Sequence, residues 1–180
     1  MQIISDLYKG FGQKILDNIP EILLVDLWNG QTEPFFGEEN QMPLPACFID
    51  FRANEIETIG ENNQALRMRA TFHVAVDSLQ DTRITRNTDY TVTKIHLLTT
   101  ALHKLFQGYK GEFFQGSMMR KQIYPYEAQT NVMQIAQEYE FWVIDDSAVK
   151  QYETETMVTG PSIETGQKTK IIDNTFKIDL

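Results

Sequence analysis

Cysteine is almost missing. The chain has 180 residues and a single cysteine, Cys47. An internal disulfide and a cysteine zinc cluster are therefore excluded. Together with seven methionines, the lone thiol fits folding in a reducing, intracellular setting. Long apolar runs are also absent. A run such as Ile22–Val25 falls far short of the roughly 20 residues a membrane helix needs. The opening MQIISDLYKGFG lacks the cationic start and apolar stretch of a signal peptide. Positive charge is scarce: 16 Lys and Arg stand against 25 Asp and Glu, for a net charge of −9. General nucleic-acid binding needs the opposite balance, although an acidic surface suits nucleic acid that must slide past without adhering. No phosphate loop is present. Gly108 and Gly111 flank Tyr109-Lys110 without P-loop spacing, and GPSIETG at 160–166 follows no strand.

The strongest pattern present is LRMRATFHVAV, residues 66–76. Leu66, Met68, Ala70, Phe72, Val74 and Val76 alternate with Arg67, Arg69, Thr71, His73 and Ala75. Strict alternation predicts a β-strand with one face on a core and the other turned outward. The outward row of two arginines and a histidine stands out in an acidic chain.

Around this strand the chain reads in order. Residues 3–19 form an amphipathic helix through Ile3, Ile4, Leu7, Tyr8, Phe11, Ile15, Leu16 and Ile19, stopped by Pro20. Ile22 to Trp28 is a first strand, ended by an Asn29-Gly30 turn. Residues 31–45 are a proline-rich loop whose Phe35-Phe36 pair either tucks onto the core or contacts another chain. Residues 46–56 and 66–76 make a β-hairpin, with Cys47, Ile49, Phe51 and Ala53 on one face. A polar excursion with Arg83 and Arg86 follows at 79–88. Asp89 caps a second helix over 90–107, striped by Val92, Ile95, Leu98, Leu102, Leu105 and Phe106 and broadened by Leu97 and Ala101; Gly108 ends it. Residues 118–126 and 132–144 form a second hairpin. The last strand sets Met133, Ile135, Tyr139, Phe141 and Val143 on one face and Gln134, Glu138 and Glu140 on the other. Side by side, Arg67 and Arg69 pair across strands with Glu138 and Glu140.

The expected architecture is α+β. An antiparallel sheet of two β-hairpins plus an N-terminal strand carries two helices on one face. Residues 1–146 form the domain, and 147–180 an extended, flexible C-terminal arm. Its end holds a short β-prone segment, 170–178, suited to adding onto another sheet edge.

Chemistry is sparse in this layout. His96 and His103 are seven apart on one helix, too far for ligands on adjacent turns, and Thr100 between them is a poor ligand. His73 has no serine or cysteine nearby as a nucleophile. Cys47 reads as a small buried hydrophobe. Asp145-Asp146 reads as a solvated turn before it reads as a cation site. No catalytic residue, cofactor or metal is expected.

The ordered series does resemble a known family. An N-terminal helix leads to a strand ending in Trp28. The proline-flanked entry MPLPACFIDF opens a hairpin that returns as LRMRATFHVAVDS. The helix YTVTKIHLLTTALHKLF and the closing strand VMQIAQEYEFWVID follow. This resembles the tail terminator and minor tail proteins of tailed bacteriophages over residues 1 to about 146. The resemblance implies a homo-oligomer, a hexameric ring at the neck end of the tail. That ring stops tube polymerisation, meets the tail tube protein, and docks the head connector while DNA passes without specific binding. It also implies a location in the virion, with assembly in the host cytoplasm and no membrane. Contact surfaces are expected at Arg67, Arg69, His73, Phe35, Phe36, Arg83, Arg86, Ile171, Ile172 and Phe176. Another neck protein of the same particle, or a small cytoplasmic α+β enzyme or ligand-binding domain, are the alternatives.

Overall fold

A computed structural model describes residues 2–32, 42–77, 90–112, 114–126, 132–149, 152–156 and 167–171. The element order is α1 (Gln2–Asn18), β1 (Leu24–Leu27), β2 (Ala46–Thr58), β3 (Gln64–Asp77), α2 (Tyr90–Phe106), β4 (Phe114–Tyr126), β5 (Val132–Asp145), β6 (Tyr152–Thr156) and β7 (Gln167–Ile171). The first five strands form one sheet in the order β1-β2-β3-β5-β4. The alternating strand, β3, is its centre, as its two-sided burial requires.

The α+β expectation holds, with one correction: the sheet is mixed. β1 pairs with β2 in parallel, Leu24 opposite Ala46, while every other pair in this sheet is antiparallel. A parallel neighbour needs a connection that returns the chain to its starting end, and 28–45 is the segment that joins β1 to β2.

Both helices lie on one face. Leu7, Phe11 and Ile15 of α1 and Ile95, Leu98, Leu102 and Phe106 of α2 are buried with the inner rows of β2, β3 and β5. Phe11 is the hub. Its ring centroid lies 5.2–6.3 Å from those of Phe51, Phe72, Phe106, Tyr109, Phe114 and Phe141. Two leucines assigned to the apolar stripes point outward instead: Leu16 and Leu97 are exposed. The stripes are narrower than the apolar count suggests, because 3.6-residue periodicity brings only three or four side chains per two turns onto the sheet.

Gly108 closes α2 with φ +77°, a backbone shape few other residues tolerate. Its N–H donates to Met118 O at 2.8 Å, and Met118 N–H donates to Tyr109 O at 2.8 Å. The turn after the helix is thus stitched to the outer edge of β4. β4 starts four residues before the expected position. Gly116, at φ +96°, sits where the register slips between Gln115 and Met119. That bulge hides the strand's first residues from a period-two search.

The region read as a patternless arm contains β6 and β7, which pair antiparallel with each other, Tyr152 opposite Ile171. β7 (Gln167–Ile171) overlaps the first two residues of the expected β-prone stretch 170–178, and the remainder of that stretch lies outside the described residues. Among the described residues no helix is long and apolar enough to cross a membrane.

Candidate functional site

Among the described residues no helix covers the sheet's second face, and the outward row of β3 runs down its middle. Its neighbours follow from register. On β2, Asp50 lies opposite Thr71 and Arg52 opposite Arg69. On β5, Glu140 lies opposite Arg69 and Glu138 opposite Thr71. The expected arginine–glutamate pairing is present. Arg67 Nη2 lies 3.0 Å from Glu140 Oε2, Arg69 Nη1 lies 3.2 Å from Glu138 Oε2, and Arg69 Nη2 lies 3.4 Å from Glu140 Oε1. Glu55 and Lys121 extend the ladder on either side.

Glu140 is the node. Burial pushes its carboxyl up, but hydrogen bonds from Arg67 and Arg69 and the charges of Arg67 and Lys121 outweigh it, and the group sits below the usual carboxylate range. Tyr124 donates to Glu138 Oε1 at 3.0 Å. Burial and that bond push the phenol up to about 12. An isolated exposed pair is worth about 0–1 kcal/mol. Here the glutamate side chains are only 11–12% exposed, so the acidic half of the ladder is largely desolvated.

His73 corrects its expectation. It lies on the outward row but is 3% exposed, so it is not the open contact surface for another subunit that was expected; what little it shows faces a cleft it helps to line. Trp28 stacks on its ring at 4.3 Å and 11°, and Tyr126 meets it edge-on at 5.0 Å. Gln134 Nε2 donates to His73 Nδ1 at 2.8 Å, and Thr32 Oγ1 donates in turn to Gln134 Oε1. An amide nitrogen can only donate, so Nδ1 accepts and Nε2 carries the imidazole proton. Burial pushes His73 down to about 4; Asp50 pulls it up and Arg52 pushes it down further. The ring is neutral at neutral pH. Ala46, Phe48 and Ala75 form a small second core beside it, with Trp28 packed against them.

Between this aromatic end and the charge ladder lies a cleft of about 100 Å³, lined by Trp28, Asp50, Arg52, Thr71, His73 and Glu138 among others. Its polar walls and aromatic floor can hold a small polar group.

The other expectations divide. Arg67 and Arg69 are part-exposed on the ladder. Ile171 lies in β7. Phe35, Phe36, Arg83, Arg86, Ile172 and Phe176 lie outside the described residues. Cys47 is fully buried, and burial pushes its thiol well up. His103 Nδ1 lies 3.2 Å from the Tyr139 hydroxyl, while His96 is exposed on the same helix. Asp145 accepts from Ser147 N–H at 3.0 Å as a turn cap. Among the described residues no cluster of His, Cys, Asp or Glu could hold a metal.

Sequence reasoning missed Trp28, Asp50, Arg52, Tyr124 and Tyr126 as members of this face; it placed Gln134 there beside Glu138 and Glu140 but not its contact with His73. One further signal was present: Tyr124 and Tyr126 share one face by period two.

A comparison with protein-family models found no match, and a comparison with curated proteins found none either.

Proposed function

We propose that the chain is a structural subunit of a tailed-bacteriophage tail, a terminator that caps the tail tube at the neck and docks the head connector. The observation that carries this reading is the element order α1-β1-β2-β3-α2-β4-β5 with both helices on one sheet face. It is the order on which the resemblance to tail terminators rests.

A ring subunit needs two different contact surfaces, one for each neighbour. The two edges of the sheet differ in the required way. β4 is blocked: Gln107 Oε1 accepts from Arg120 N–H at 3.0 Å, Gly108 and Tyr109 bond Met118, and Pro125 has no N–H to offer. The β1 edge carries Leu23 and Leu27, 61% and 43% exposed, as apolar contacts for a neighbour. Arg67 and Arg69 supply a polar contact on the helix-free face. The net charge of −9 suits a channel through which DNA moves without adhesion.

Sedimentation across a concentration series tests the reading. A closed oligomer of about six subunits, as the terminator resemblance implies, is the expected result. A monomer unchanged up to the highest attainable concentration contradicts it.

The cleft beside His73 favours a second reading, a ligand-binding α+β domain. The concentration-independent monomer would point to it.

A further inference from the structure

We infer that the cleft at the Trp28–His73 end of the helix-free sheet face binds a small neutral carboxamide. The inference stands apart from the ring reading and does not depend on it.

His73, Thr71 and Asp50 line the cleft together and bring donors and an acceptor to it. His73 presents Nε2–H, because Gln134 occupies Nδ1. Thr71 lies two residues away on the same face of β3 and is itself 5% exposed, so its hydroxyl is a second buried donor beside the cleft. Asp50 Oδ2 accepts from Arg52 Nε–H at 2.7 Å, which leaves Oδ1 as an acceptor. A group that accepts from His73 and Thr71 and donates to Asp50 satisfies all three. A carboxamide does this with its adjacent oxygen and amino group. A ligand that makes all three bonds at once replaces those the cleft's polar groups would make to solvent, which keeps the exchange favourable.

Charge selects against the anion of the same shape. Two carboxylates line the cleft, Asp50 and Glu138, and each is matched by one arginine, Arg52 and Arg69. His73 is neutral, so a third carboxylate would enter without a countercharge. Size agrees as well. A cavity of about 100 Å³ holds a few waters at about 30 Å³ each or one amide head group. The face of Trp28 and the edge of Tyr126 leave an aromatic wall for a short apolar tail.

The test is an NMR titration of the isotope-labelled full chain with propionamide and, in parallel, with propionate. The resonances to follow are His73 Nε2–H, His73 Cε1–H and the Trp28 indole N–H. Propionamide should give saturable shifts at all three, and propionate should bind at least about tenfold more weakly. Thr71→Val removes one donor at nearly constant shape and should weaken propionamide about fivefold. If that variant does not fold, the amide-against-carboxylate comparison on the native chain decides alone. Absence of saturable shifts with propionamide overturns the inference, and so does equal or tighter binding of propionate. A dilution series without ligand separates the remaining source. If the His73 resonances move with protein concentration, a side chain of a second copy fills the cleft, and the small-ligand inference is wrong.

Discussion

Acid should destabilise this protein in a window set by His73. Above its ordinary value of 6.5 the imidazole is neutral in both the folded and the unfolded chain, and the folded state bears no cost. Below 6.5 the unfolded chain takes up a proton that the folded chain refuses, and stability falls as the pH drops. The loss levels off once the folded group titrates at about 4. At 1.36 kcal/mol per pH unit that gap amounts to about 3 kcal/mol. The groups around the ring bear on the sign. Burial beneath Trp28 and Tyr126 decides for the neutral form, Asp50 favours the cation and Arg52 opposes it, while Glu138 and Arg69 line the same cleft as an ion pair. Glu140 and Asp145 sit below the usual carboxylate range, so their own losses come at lower pH. His103, also pushed down by burial and then by Arg120, shares the window and is removed by difference. The assay is urea unfolding at several pH values between 7 and 4, on the native chain and on His73→Gln. A glutamine can still accept from Gln134 but cannot titrate. Native stability should drop by about 3 kcal/mol more than that of the variant. Identical pH profiles, or an NMR titration that places His73 near 6.5, would refute the buried-neutral account.

Other perturbations probe the core, the ladder and the C-terminal segment. Phe11→Ala removes the ring that six aromatic side chains surround and should cost about 3–5 kcal/mol by chemical denaturation. Arg69→Gln leaves Glu138 without its cation while Tyr124 still donates to it; a loss of about 1–3 kcal/mol is expected in thermal or urea unfolding. Arg67→Glu sets three carboxylates together with Glu55 and Glu140, and sedimentation should show assembly impaired at an ionic strength where circular dichroism still reports a folded chain. Deleting residues 147–180 should leave the unfolding midpoint of the five-stranded domain nearly unchanged, because β6 and β7 pair with each other; unfolding of the truncated chain would place that segment inside the domain.

Much of the fold was legible because its signals are local and periodic. Leu66 to Val76 announces a central strand, the spacing of Ile95, Leu98, Leu102 and Phe106 announces a helix, and Gly108 marks its end. The arginine–glutamate ladder was legible too, since period two puts Arg67, Arg69, Glu138 and Glu140 on one face once β3 and β5 lie together. What could not be read depends on long-range placement. Nothing local says that β1 runs parallel to β2. Trp28 meets His73 across three strands, and the burial that changes the histidine's character comes from that meeting. Gln137 falls in phase with the inner row of β5, a polar residue among apolar ones. It is fully buried, and its amide donates to Thr99 O at 2.7 Å, a partner on α2 that no spacing within the strand reveals. Gly116 conceals the start of β4 by breaking the alternation that a strand search relies on.

The proposal that this chain closes a phage tail stands or falls on what it assembles into. Negative-stain electron microscopy of the full chain, at the concentrations where sedimentation has levelled off, reads this directly. The account predicts closed rings of uniform diameter with an open central channel. Particles of single-subunit size alone, or open filaments without closure, would contradict it.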